Sequence, residues 1–127
     1  MPSVLQTIGN TPLIELSKLR RDGGARVFVK YEGSNPTGSM KDRMALAMVE
    51  GARREGRLPS GHRVVELTGG STGTSLALVC SALGHPLTIV TNDAVAREKI
   101  DMTRALGADV EVIRTPEGKV QIGRAHV

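Results

Sequence analysis

Aromatic residues are nearly missing from this 127-residue chain, which has Phe28, Tyr31 and no tryptophan. Proteins that grip single-stranded nucleic acid stack bases on such rings, so that class finds little support and no nucleic-acid partner is expected. Cysteine occurs once, as Cys80, which excludes an internal disulfide. It lies in the apolar run "SLALVCSALG", where a buried structural thiol is expected rather than a nucleophile. No stretch reaches the ~18 apolar residues of a membrane span. The opening "MPSVLQTIGNTPL" has no basic region leading into an apolar one, so it does not read as a signal peptide. A cytoplasmic protein is the default expectation. Histidine is scarce too. His62 and His85 fall in turns, where surface positions are expected, and with His126 they do not make a metal-ligand spacing.

Glycine, in contrast, is plentiful, with 15 residues in 127, above the usual ~7%. The glycines fall between apolar runs and therefore point to tight loops rather than disorder. The net charge of +4 is scattered. Its densest group, Arg53, Arg54 and Arg57, is interrupted by Glu50 and Glu55 and reads as a solvated helix face. The length suits one domain with a modest core. The tail "IGRAHV" (122–127) matches one reading frame of a widely used short-read sequencing adapter. A natural tail is the alternative. These residues are expected to be non-native and are excluded from fold and function.

Four runs have strand character: 26–32, 63–67, 87–91 and 109–113. Between them lie helical patterns. Met40, Met44, Met48 and Ala52 form a stripe at every fourth position, flanked by Ala45 and Val49. Leu76, Val79, Cys80 and Leu83 form a second, closed by Gly84 and Pro86. Ala96, Ile100, Thr103 and Leu106 form a third, stopped by Gly107. This alternation predicts an α/β fold, a three-layer αβα arrangement around a small parallel sheet. After Ile113 the stretch "RTPEGKV" looks like the start of another loop and helix. Ligands of such sheets sit beyond the carboxyl ends of strands. "SNPTGSMKD" and "TGGSTGTS" hold that position.

In the first of these, Ser39 is a candidate N-cap, with Asp42 three residues on in capping-box style. Lys41 would then stand in the first turn, where the positive helix end disfavours an ammonium. An amine that is partly neutral can attack an aldehyde and form a Schiff base. An exposed lysine beside Asp42 and Arg43 is the plain alternative. In the second loop, Gly69, Gly70 and Gly73 allow close backbone approach, and Thr68, Ser71 and Thr72 add hydroxyls. Successive N–H groups at such a helix start can converge on a carboxylate or a single phosphate. The loop is neither a P-loop nor a dinucleotide fingerprint. A turn that merely caps a helix remains open. An imine-forming amine beside a carboxylate grip suits an amino-acid substrate joined to pyridoxal phosphate.

At this point the chain resembles the N-terminal part of the cysteine synthase and cystathionine β-synthase family, the fold type II pyridoxal-phosphate enzymes. "TIGNTPLIEL" (7–16) resembles the family's opening signature, "EGSNPTGSMKDR" (32–43) its cofactor-lysine motif and "ELTGGSTGTSLA" (66–77) its substrate loop. The likeness runs from Met1 to about Lys119. The resemblance implies that Lys41 carries pyridoxal 5'-phosphate and later shuttles the Cα proton. It implies that Thr68, Gly69, Gly70 and Thr72 hold the substrate carboxylate, and that Ser71 faces the cofactor. The family's loop usually reads Thr-Ser-Gly-Asn-Thr-Gly, so Gly69 and Ser71 depart from it. Serine is shorter than the asparagine that normally bonds the cofactor's phenolic oxygen.

The implied reaction is β-elimination of acetate from O-acetylserine followed by addition of sulfide to give cysteine. Cystathionine β-synthases, and branches that accept thiosulfate or O-phosphoserine, share the lysine motif. Residues 1–34 would join the larger domain of an intact parent, and 35–121 would form the small α/β domain. The phosphate-binding loop would lie beyond the chain, leaving a weakly stable fragment of little activity. A small-molecule substrate and a homodimeric parent are implied, with no membrane partner. A non-catalytic module that binds a carboxylate or phosphate is the competing class, as is a partner-binding remnant of the family.

Overall fold

The computed structural model describes residues 3–114. The tail 122–127 and the stretch after Arg114 lie outside those residues. The first two strands, β1 (Leu13–Glu15) and β2 (Phe28–Lys30), pair antiparallel, with Leu13 opposite Lys30 and Glu15 opposite Phe28. Arg26 braces this hairpin. Its Nε and Nη2 donate to the Glu15 carboxylate at 3.0 and 2.9 Å, and its guanidinium lies 4.7 Å from the centre of the Phe28 ring. The expectation that the 26–32 run opens the parallel series is therefore corrected. Its partner β1 has only three residues, too few for an alternation signal.

The remaining elements run α1 (Lys41–Arg54), β3 (Val64–Leu67), α2 (Ser71–Leu83), β4 (Leu87–Asn92), α3 (Arg97–Ala105) and β5 (Asp109–Ile113). The last three strands form a parallel sheet in the order β3-β4-β5, with Val64 opposite Leu87 and Thr88 opposite Asp109. Successive right-handed crossovers between neighbouring strands put α2 and α3 on one face. On that face Leu87, Ile89 and Thr91 of the central strand are buried. The opposite face presents Val65, Leu67 and Ile113 to solvent, so helices cover one side of the sheet among the described residues.

Helix α2 is the centre of the molecule. It is wedged between α1, α3 and the sheet, and Gly73 to Ala77, Val79 and Cys80 are all buried. Its sequence is apolar almost all round, as such a position requires. It ends at Gly84 in the left-handed conformation (φ 74°), where the His85 N–H donates to the Cys80 carbonyl at 2.9 Å. Cys80 is fully buried, as expected, and burial pushes its thiol up to about 11.

The packing of α1 and the placement of His85 were not legible in the sequence. The methionine stripe of α1 is not its buried face. Met40, Met44 and Met48 are exposed, while Asp42, Ala45 and Val49 face α2. Small residues at Ala45 and Val49 let two helices approach closely, and a methionine stripe would hold them apart. His85 is also not a surface histidine. The chain reverses at Gly84 and enters β4, which leaves the ring only 4% exposed. Its Nδ1 lies 3.0 Å from the His62 carbonyl, so Nδ1 carries the proton and donates. The arginine group is solvated as read, but only Arg53 and Arg54 lie on the helix, because α1 ends before Arg57.

Candidate active site

The lysine loop is held from beneath by a polar network. Glu32 accepts from Arg43 Nε at 2.8 Å and Nη2 at 3.1 Å, from Thr11 Oγ1 at 2.6 Å and from Asn35 Nδ2 at 2.9 Å. Arg43 Nη2 also donates to Thr11 Oγ1 at 3.0 Å, and Asn35 Oδ1 accepts from the Gly9 N–H at 2.9 Å. A side chain at Gly9 would be strained by its φ of 90°, and its Cβ would press on Arg43 Nη1 at 3.1 Å. The paired donors of Arg43 suit both carboxylate oxygens, and they hold the Glu32 carboxyl down to about 2. The network thus ties the segments 9–11, 32–35 and 43 into one unit. Sequence reading treated the motif as chemistry around Lys41 and missed this frame. Its signal was the pairing of an acid and an arginine at the two ends of "EGSNPTGSMKDR".

Lys41 opens α1, and its backbone N–H donates to Ser39 Oγ at 3.1 Å. Ser39 therefore caps the start, though the helix boundary falls at Met40 and the expected capping box is not formed. Asp42 does not reach back to Ser39. Its side chain is fully buried and accepts from the Thr37 N–H at 2.8 Å, from the Thr37 hydroxyl and from Ser75 Oγ at 2.5 Å. Tertiary donors on α2 outcompete the local one. The Lys41 side chain is half-buried, and among the described residues its amine has no hydrogen-bond or ion-pair partner.

The glycine loop, Thr68 to Gly70, leaves the carboxyl end of β3 and enters α2. Thr68 anchors it. Its N–H donates to the Val90 carbonyl at 3.0 Å, and its Oγ1 accepts from the Gly70 N–H at 3.3 Å. The three glycines have different reasons. A Cβ on Gly73 would lie 3.0 Å from Thr68 Cγ2, so close packing requires glycine there. A Cβ on Gly69 would meet Val95 at 3.4 Å, and one on Gly70 would meet nothing within 4 Å. Gly70 thus opens onto free space. Among the described residues the N–H groups of Gly69, Ser71 and Thr72, and the hydroxyls of Ser71 and Thr72, have no partner. This set of free donors at the start of a 13-residue helix is suited to an anion.

The bond from Ser75 to Asp42 joins the two loops. Asp42 follows Lys41 directly, and Ser75 lies one turn, about 5–6 Å, along α2 from Ser71. The starts of α1 and α2 therefore sit side by side. A separate small cavity lies under the glycine loop, bounded by Thr68, Gly69, Gly70, Thr91 and α3. Of the six residues singled out from sequence, Lys41, Ser71 and Thr72 do not line that cavity.

Comparison with known proteins fits these features. The family described as pyridoxal-phosphate dependent enzymes matches residues 4–126. Cysteine synthase B of Salmonella typhimurium is 38% identical over 118 residues, which cover 93% of this chain and 39% of that protein. Mouse cystathionine beta-synthase is 41% identical over 118 residues, covering 91% of this chain and 21% of that protein. The crystal structure of O-ureido-L-serine synthase superposes with a TM-score of 0.84 at 37% identity, covering 90% of this chain and 36% of that one. The chain thus spans about two fifths or less of the length of these relatives. With its lysine motif, its glycine loop and the adjoining helix starts all in place, the chain belongs to the pyridoxal-phosphate dependent enzyme family, among relatives that include the cysteine synthases and cystathionine β-synthases.

Proposed function

We propose that the chain is the N-terminal part of a cysteine synthase-like enzyme, which replaces the acetate of O-acetylserine with sulfide to give L-cysteine. One observation carries this reading: a partner-free ε-amine opens a helix whose next residue is bonded to the helix entered by a donor-rich glycine loop. The residues fit pyridoxal phosphate. Among the described residues Lys41 has no competing acceptor for its amine, and Gly70 leaves open space where a ligand would approach. In this reading Lys41 holds the cofactor's aldehyde through its amine. Ser71 faces the cofactor, with a water bridging where its side chain falls short. Thr68, Gly69, Gly70 and Thr72 hold the substrate carboxylate.

When bound, the cofactor supplies an electron sink that makes the substrate Cα–H acidic. Lys41 then acts as the base that takes this proton and the acid that returns it. The free N–H groups of Gly69, Ser71 and Thr72 orient the carboxylate and fix which face of Cα meets Lys41. The groups that hold the cofactor phosphate and pyridine nitrogen are assigned to the additional length of the relatives. By this reading the 127-residue chain alone has little activity, and the parent is a cytoplasmic homodimer.

A second reading, a cystathionine β-synthase-like or other β-replacement enzyme, is supported by the 41% identity to the mouse protein. A carboxylate-binding module without catalysis is the third. Visible absorbance separates them. A protein of parent length should take up pyridoxal phosphate and become coloured, and Lys41→Ala should abolish the linkage. Adding O-acetylserine should shift the spectrum. No shift points to another activated serine, and retained carboxylate binding without colour favours the module.

A further inference from the structure

The cavity under the glycine loop contains a loose end. Thr91, next to last in β4, is 5% exposed on the helix-covered face of the sheet and lines the cavity. Its Oγ1 is buried and has no hydrogen-bond partner among the described residues. Two other hydroxyls nearby are already engaged. Thr103 Oγ1 donates to the Lys99 carbonyl at 2.8 Å, and Thr74 Oγ1 lies 3.1 Å from Thr103 Oγ1. Thr103, which also lines the cavity, therefore serves Thr74 as acceptor and has one lone pair left. The cavity offers about 10 Å³, the room that one water needs. Its roof is formed by Thr68, Gly69 and Gly70. A buried hydroxyl with no partner is unfavourable, and a cavity of this size, though also lined by Ile89, Val95, Ile100 and Val110, has room for one water between Thr91 and Thr103.

We infer that Thr91 is a positioning residue, which holds one buried water beneath the glycine loop and so sets the height of the loop backbone above the sheet. The water accepts from or donates to Thr91 Oγ1, uses the remaining acceptor of Thr103 and meets the polar backbone of the roof. Its functional meaning rests on the proposed role of this loop as the carboxylate site. A loop held from below presents its outward N–H groups at a fixed distance from the helix start that carries Lys41.

The test uses the 127-residue chain without cofactor, so it does not depend on pyridoxal chemistry. Two substitutions are compared, Thr91→Val, which keeps the shape and removes the hydroxyl, and Thr91→Ser, which keeps the hydroxyl. Backbone hydrogen exchange is followed at Thr68 and Gly73, whose N–H groups donate to Val90 O at 3.0 Å and Gly70 O at 3.1 Å. Loss of one bridging bond should speed exchange at both by roughly three- to tenfold in Thr91→Val. Thr91→Ser should stay near wild type, and residues of β1 and β2 should not change. A crystal structure should show an ordered water within hydrogen-bond distance of Thr91 Oγ1. An empty cavity, or a Thr91→Val protein with unchanged exchange and an equal or higher melting temperature, overturns the inference. Either result leaves the assignment of Lys41 untouched, and a failed Lys41 assignment leaves the water standing.

Discussion

Removing the Asp42 carboxylate should unlock the two helix starts. Three donors converge on it: the Thr37 N–H, the Thr37 hydroxyl and the Ser75 hydroxyl. A hydrogen bond to a charged acceptor contributes about 1.5–3 kcal/mol, so the gross loss in Asp42→Ala approaches ~5–9 kcal/mol. Part of that is recovered. The two hydroxyls lie 3.3 Å apart and can bond each other once the carboxylate is gone. The Thr37 N–H has no such substitute, and a small cavity opens beside a fully buried Ser75. The net expectation is roughly 3–5 kcal/mol. At about 3–5 °C per kcal/mol for this size, the melting temperature should fall by ~10–20 °C. Asp42→Asn should lose only ~1–2 kcal/mol, because the amide oxygen still accepts from the N–H and its NH2 can donate to a hydroxyl. Circular dichroism melts of the three proteins supply the comparison. An Asp42→Ala protein within ~1 kcal/mol of wild type, or an Asp42→Asn protein as damaged as Asp42→Ala, would refute the reasoning.

Three further outcomes are expected. Glu32, whose carboxyl ordinarily titrates near 4.5, is held at about 2 chiefly by Arg43, then by Thr11. The folded state therefore resists its protonation, so the stabilisation is whole above pH 4.5 and is lost as pH falls towards 2. Stability curves of wild type and Glu32→Gln should converge across that window, and a constant gap through it contradicts the network. Cys80, raised to about 11 by burial, should react with an aromatic disulfide reagent roughly 100-fold or more slowly in native buffer than in denaturant. Equal rates would mean an open core. Gly73→Ala should cost about 1–3 kcal/mol through overpacking against Thr68, whereas Gly70→Ala should stay within ~0.5 kcal/mol. In a parent-length protein Gly70→Ala should still weaken substrate binding, and unchanged binding would remove Gly70 from the site.

The helices and the three parallel strands were legible because each carries its period over enough residues. Loops rich in glycine at strand ends marked where a ligand would sit. What the sequence hid was mostly tertiary. The partner of the first long β-run has three residues and no pattern of its own. The stripe on α1 did not say which side is buried, and helix-helix contact selected the smaller Ala45 and Val49 beside the methionines. Asp42 looked like a local cap, and only the arrival of Ser75 from a residue 33 positions away shows why it is buried. His85 looked exposed because turns usually are, but it follows a left-handed glycine that feeds the chain into the central strand. Lys41 and the glycine loop were singled out by residue type and spacing. Their adjacency needed the folded contacts.

The central claim is that Lys41 is the amine that carries pyridoxal phosphate. Borohydride reduction of the cofactor-loaded parent-length protein, followed by peptide mass mapping, tests it directly. The account predicts a phosphopyridoxyl group on the peptide that contains Lys41, and none there after Lys41→Ala. A label on Lys30 or Lys99 instead, or colour retained by the Lys41→Ala protein, would contradict it.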